Sequence, residues 1–280
     1  MSILYAIILG IIQGLTEFLP ISSTAHLTLA GKLFGLISAD HPEQWTAFIA
    51  VIQIGTVSAV IIYFFRDLVE ITRGFFEDGR RFLASPQIGL NRARMGWYII
   101  LGTLPVATFG LTFKKIIEGN LTKSTSVIGT SMIGLAIILW FAEKVGTRQK
   151  SMNETTWLDS LIIGIAQTCA LIPGSSRSGT TITAGLFLGI KREDAARFSF
   201  LLSVPAVLAS GFLELYEMRN FIGQVGVINV VVSTVVAGVV GYASIAFLLK
   251  YLRTHTTFIF IYYRIIVGAL LLVLVYVYGF

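Results

Sequence analysis

The sequence predicts an all-α polytopic membrane protein with an inverted-topology repeat, each half one re-entrant helical hairpin plus three transmembrane helices. Three observations carry this. Of 280 residues, 55% are hydrophobic and only 13% charged, with a mean hydropathy of +0.81, outside the range of ordinary soluble domains. Six stretches are long and apolar enough to span a bilayer. Two further apolar stretches are broken in the middle by proline and a cluster of hydroxyl residues, and they resemble each other.

The first broken stretch is 2–38, interrupted by Pro20 and Ser22-Ser23-Thr24. Irregular backbone at membrane depth is tolerated only where it lines a cavity or is buried in protein, so the stretch reads as a re-entrant hairpin rather than a span. Spans follow at about 45–65, 95–113 and 124–142. Between the first two of them, segment 66–94 mixes Asp67, Glu70, Glu77 and Asp78 with arginines, the composition of a solvated amphipathic cytoplasmic segment. The second broken stretch, 158–190, carries Pro173-Gly174 and its own hydroxyl cluster, and spans follow at about 198–216, 228–249 and 259–279. Pro105 and Pro205 fall inside spans and are expected as kinks packed by neighbours rather than as site residues.

The likeness of the broken stretches is ordered. Gly10-Ile11-Ile12-Gln13 matches Gly164-Ile165-Ala166-Gln167, and each is followed by a proline and then by a pair of serines, Ser22-Ser23 and Ser175-Ser176. Both close on a Gly-x-x-x-Gly step, Gly31 to Gly35 and Gly185 to Gly189. Residues 1–150 therefore form a first repeat and 151–280 a second, together one membrane domain. Three spans per half is an odd number, which inserts the second half upside down. Threaded so, the loops on one side and the other hold 15 and 5 basic residues, Lys250 to Arg264 being assigned to the richer side. That bias makes the richer side cytoplasmic and leaves both termini outside. The hairpins then enter from opposite faces and meet at their tips.

The net charge of +6 lies in these short loops, where membrane orientation explains it, so no nucleic-acid partner is expected. No basic region opens the chain, so no cleavable signal peptide is expected. The lone Cys169 excludes an internal disulfide, and its apolar neighbours predict buried packing. Gly129, Gly134, Gly238 and Gly241 allow close helix packing within a chain or between chains, which is compatible with a homodimer.

The chemistry concentrates at the two breaks. Arg177, a guanidinium at membrane depth, marks a functional site with an anionic partner; its bland alternative is a salt bridge to Glu17. Gly174, Ser175, Ser176, Ser178, Gly179, Thr180 and Thr181 surround it with flexible backbone and hydroxyl donors, the makings of a phosphate cradle without the Gly-Lys-Ser/Thr step of a Walker loop. Gln13 and Glu17 share a helix face and could both point oxygens at one Mg²⁺ or Ca²⁺. Ser23 and His26 are three apart, close enough for the imidazole to act as general base for the hydroxyl, with Ser22 and Thr24 flanking it.

The run QGLTEFLPISSTAH (13–26) together with PGSSRSG (173–179) resembles the two signature motifs of the undecaprenyl pyrophosphate phosphatase family, also called bacitracin-resistance proteins, and the likeness in architecture covers essentially the whole chain. Members remove the terminal phosphate of a C55 polyprenyl diphosphate with the help of a divalent cation, in the plasma membrane of bacteria. The resemblance implies that the glutamate-rich motif falls on Gln13 and Glu17, the catalytic serine and histidine on Ser23 and His26, and the arginine motif on Ser176, Arg177 and Thr181. Two positions depart from the pattern. Gln13 replaces the first glutamate, leaving Glu17 the one anionic metal ligand, and Ala25 stands where glycine is commoner. The implied chemistry has Arg177 and the donors of 175–181 hold the diphosphate while Ser23, His26 or water attacks, at a site open to the periplasmic or external face. The rival is a transporter or flippase of a polyprenyl phosphate, since inverted repeats with broken helices also suit alternating access.

Overall fold

The computed structural model describes residues 1–38, 40–84, 91–220 and 222–278, and every regular element among them is a helix. Helix α1 (Ile3–Phe18) starts from Ser2, whose hydroxyl accepts the Tyr5 N–H at 3.3 Å. It stops because Leu19 precedes proline, which drives that residue to extended backbone (φ −66°, ψ 140°). The chain restarts at once as α2 (Ser23–Leu33), capped by Ser22. Helix α3 (Pro42–Tyr63) opens with proline in its first turn, where a missing N–H costs no hydrogen bond. Then come α4 (Phe65–Ala84), α5 (Asn91–Thr112), the short α6 (Lys114–Glu118) and α7 (Thr125–Val145).

The second half likewise opens with two helices separated by a break. Helix α8 (Trp157–Thr168) begins with a capping box of Thr156 and Asp159 and runs into a 3₁₀ turn, Cys169–Leu171; α9 (Arg177–Phe187) restarts from Ser176. There follow α10 (Arg192–Met218), the short α11 (Ile222–Val225), α12 (Val227–Leu252) and α13 (Phe258–Tyr278). Six helices, α3, α5, α7, α10, α12 and α13, are long and apolar enough to cross a membrane, and they coincide to within a few residues with the six predicted spans. The chain is a multi-pass membrane protein. Pro105 and Pro205 lie inside unbroken helices. Of segment 66–94, α4 is amphipathic, while residues 85–90 and the side chains of 77–93 lie outside the described residues.

Packing joins the halves reciprocally. Helix α1 lies along α12 and α8 along α5, α3 lies along α10, and α7 along α13. Lipid offers little hydrophobic drive between helices, so small residues let backbones touch. A Cβ on Gly55 would stand 1.9 Å from the Thr234 carbonyl oxygen, and one on Gly164 would stand 2.3 Å from that of Gly102. Gly129, Gly238 and Gly241 are likewise used within the chain, against Gly268, Gly55 and Phe18, whereas Gly134 faces open space. The core between the breaks is aromatic, with Phe18 edge-on to Phe200 at 5.1 Å.

Two expectations are corrected here. Cys169 is exposed, because the 3₁₀ turn carries it to the outer surface instead of into the helix packing. Arg264, assigned above to a cytoplasmic loop, is the seventh residue of α13 and has no exposure at all.

Candidate active site

The two breaks converge on Glu17. Four residues apart on α1, Gln13 and Glu17 face the same way, and both are buried. Gln13 Nε2 donates to Glu17 Oε2 at 3.0 Å and to Thr56 Oγ1 at 3.4 Å. Ser23 Oγ donates to the same Oε2 at 2.7 Å. The other carboxylate oxygen, Oε1, accepts from Arg177 Nη2 at 2.8 Å, so the ion pair considered as the alternative role of Arg177 is formed. Arg177 is steadied from behind by the Ser199 carbonyl at 3.2 Å from Nη1.

Both helices restart through strained serines. Ser22 (φ 76°) and Ser176 (φ 69°) occupy the left-handed region, a conformation costing roughly 1–3 kcal/mol for a residue with a side chain. Each then caps the helix it opens, Ser22 Oγ accepting Ala25 N–H at 3.3 Å and Ser176 Oγ accepting Gly179 N–H at 3.1 Å. The effect is that α2 begins at Ser23 and α9 at Arg177, so both side chains stand at helix N-termini, where unpaired N–H groups and the helix dipole favour anions.

A cleft of about 360 Å³ opens from this point between α5 and α10. Glu17, Ser22, Ser23, Thr24, Gly174, Ser176 and Arg177 line it, as do Gln167 and Pro205, so Pro205 belongs to the site's wall. Apolar residues such as Val106, Leu111 and Leu213 form its length. Its far end carries Lys114, Glu118 and Glu214, with Glu217 beside them in ion pairing to Lys114. Burial alone would lower the Lys114 pKa, but Glu217 and Glu118 hold it above the ordinary value; neighbouring Lys123 is pushed down to about 8 by burial.

The remaining predicted residues do not face the cleft. Ser178 Oγ donates to the Leu19 carbonyl at 3.2 Å, fastening one break to the other. Thr180 and Thr181 hydroxyls donate to the Arg177 carbonyl at 2.9 and 2.8 Å. Ser175 is fully buried, and Gly179 lies against Arg264. These residues frame the second break because α9, after its first turn, runs into the bundle.

The expected Ser23–His26 hydrogen bond is absent. His26 Nδ1 lies 2.7 Å from the Ser22 carbonyl oxygen one turn back, which rotates the ring away from Ser23, and Nε2 lies 2.7 Å from Tyr263 Oη. His26 is not among the described residues lining the cleft. Arg177 accordingly meets Glu17 rather than His26. The sequence reading missed Arg264: its guanidinium donates to the carbonyls of Met132 (3.2 Å), Pro20 (3.3 Å), Gly174 (3.2 Å) and Ser175 (2.9 Å), tying both breaks to α7. An arginine inside an apolar span was the signal that could have found it.

As placed, the groups on Glu17 are hydrogen-bond donors, Gln13 Nε2, Ser23 Oγ and Arg177 Nη2, and an oxygen set for a hard divalent cation forms only with the Gln13 amide turned over. Gln13 turns its nitrogen to the carboxylate, leaving its oxygen buried with no hydrogen-bond partner among the described residues, and a half-turn of the amide would set that oxygen beside Glu17.

A sequence model of a family described as bacitracin resistance protein BacA matches residues 6–270. The undecaprenyl-diphosphatase of Syntrophobacter fumaroxidans is 56% identical over 281 residues, covering 100% of this chain and 99% of that protein. That of Chlorobaculum tepidum is 51% identical, with 98% of each chain covered, and that of Myxococcus xanthus 49%, with 98% of this chain and 89% of the other covered.

Proposed function

The chain belongs to the bacitracin resistance protein BacA family, and on that premise we propose that it is an integral membrane phosphatase hydrolysing undecaprenyl diphosphate to undecaprenyl phosphate and inorganic phosphate. The product is the lipid carrier of peptidoglycan synthesis, and its recycling would confer bacitracin resistance. The observation that carries the reading is the Glu17 hub: one carboxylate accepts hydrogen bonds from the Ser23 hydroxyl and the Arg177 guanidinium at the wall of one cleft.

Phosphoryl transfer needs positioning and charge neutralisation above all. Arg177 and the first N–H groups of α2 and α9 hold the diphosphate. Ser23 Oγ gives its proton to Glu17 as it attacks the terminal phosphorus; the new Oγ–P bond replaces the bridging P–O bond, and the lipid monophosphate leaves. Water then hydrolyses the phosphoserine and releases phosphate. Glu17 thus takes the general-base role expected of His26, which serves instead to hold α2 against α13 through Tyr263. Glu17 and Gln13 would hold the divalent cation, Mg²⁺ or Ca²⁺, which when bound neutralises phosphate oxygens.

The inverted repeat is part of this proposal, supported by the reciprocal helix pairing and by the twin left-handed serines at Ser22 and Ser176. Removing Arg264 from the loop count leaves the basic bias strong, which supports termini outside and a cleft open to the periplasmic or external face. The apolar wall between α5 and α10 suits a prenyl tail that stays in the bilayer. The test is phosphate release from undecaprenyl diphosphate by purified protein in detergent with Mg²⁺ or Ca²⁺, where nothing exists to transport across. Its absence would hand the site to the transporter reading.

A further inference from the structure

Gln167 lies in the last turn of α8, only 1% exposed, and lines the cleft. Neither its Nε2 nor its Oε1 has a hydrogen-bond partner among the described residues. A buried amide with both ends unpaired is destabilising, and an apolar side chain of similar volume would fill the same place without that cost. Nothing in the packing of α8 uses the amide. Gln13, the matching residue of the first broken stretch, engages its amide nitrogen with Glu17 and Thr56. Two other polar side chains on the wall are also committed, for the hydroxyls of Thr103 and Ser203 donate to the carbonyls of Ile99 and Phe200 on their own helices. Gln167 is a wall residue whose donors are uncommitted.

The charge balance says what those donors suit. Glu17 and Arg177 neutralise each other, so a diphosphate entering the cleft gains from further N–H donors, and a neutral amide supplies two without a counter-charge that would tighten the Glu17–Arg177 pair. We propose that Gln167 contacts the substrate, its amide N–H groups holding a phosphate oxygen of the diphosphate in the cleft that Arg177 lines. The inference rests on the phosphatase reading and adds a binding group to it.

The test uses the full-length protein in detergent, with Gln167→Met and Gln167→Glu compared with wild type on undecaprenyl diphosphate. Gln167→Met should raise KM about 10-fold or more, the usual loss for a hydrogen bond to a charged group. Its melting temperature should hold or rise, since an unpaired buried amide has gone. Gln167→Glu should raise KM further by repelling the anion. Unchanged KM and kcat in both variants would overturn the proposal, and so would a lowered melting temperature with KM unchanged, the mark of a structural role. If wild type itself released no phosphate, the phosphatase reading would fail separately. Binding of inorganic pyrophosphate to wild type and Gln167→Met, measured by calorimetry, would then judge the amide alone: weaker binding in the variant supports the contact and equal binding overturns it.

Discussion

Arg177 Nη2 lies 2.8 Å from Glu17 Oε1, joining by one ion pair two breaks that are 160 residues apart in sequence. The pair braces the two breaks, and the proposed mechanism gives it a second role. Removing one partner would strand a charge in a site where Glu17 is 5% and Arg177 14% exposed, a loss of about 3–5 kcal/mol by the behaviour of buried pairs. In the proposed mechanism an anionic diphosphate would compete with Glu17 for the guanidinium and, in taking it, would free the carboxylate to accept the Ser23 proton.

Arg177→Lys keeps the charge but loses the planar fork that serves Glu17 and the Ser199 carbonyl together. Phosphate release should fall on the order of 10² or more while the protein still folds. Unchanged turnover would reduce Arg177 to a strut.

Ser23 and His26 should separate in effect. Ser23→Ala removes the hydroxyl bonded to Glu17 and should cost on the order of 10³ in kcat, within the span of a lost nucleophile and base. His26→Gln, which can still bond the Ser22 carbonyl or Tyr263, should cost less than about 10-fold. The reverse ranking, read from the same assay, would return the base to His26.

Glu17→Gln should abolish cation-dependent hydrolysis. Gln13→Glu sets a second carboxylate where an amide now donates at 3.0 Å, so it should be tolerated only with a divalent cation present and should lower the Mg²⁺ or Ca²⁺ concentration for half-maximal rate. Activity surviving in Glu17→Gln but lost in Gln13→Glu would place the ion elsewhere.

Arg264 holds both breaks from inside the bundle. Arg264→Met leaves the four carbonyls without this donor at about 1–3 kcal/mol for each left unpaired, so the melting temperature in detergent should drop sharply. Gly179→Ala is milder, because its Cβ would stand 2.6 Å from Arg264 Nη1 and push the guanidinium off its carbonyls. Activity should fall more than stability. Normal melting of Arg264→Met would remove its bracing role.

Topology can be labelled directly. In a Cys169→Ala background, needed because Cys169 is exposed, Ser2→Cys should react with a membrane-impermeant thiol reagent in intact cells and Arg73→Cys on α4 should not. The opposite pattern would turn the protein over and move the cleft to the cytoplasmic face.

What the sequence by itself determined is what local composition can express. Hydropathy adds up along the chain, so the six spans and the breaks at Pro20 and Pro173 were legible, and the four-residue spacing of Gln13 and Glu17 placed them on one face before any fold was known. Arg177 stood out because charge in an apolar stretch is costly wherever it is packed. Only the tertiary structure decided which groups touch. His26 is three residues from Ser23, yet its ring turns to a carbonyl behind it and to Tyr263, 237 residues on. Thr180 and Thr181 share the hydroxyls of Ser22 and Ser23 but bond inward to the Arg177 carbonyl. Arg264 read as the edge of a basic loop until the packing of α13 against α7 showed four carbonyls around it. The reason is the same in each case: a side chain's partner depends on which helix crosses it and at what rotation, and neither is written in the order of residues along its own helix.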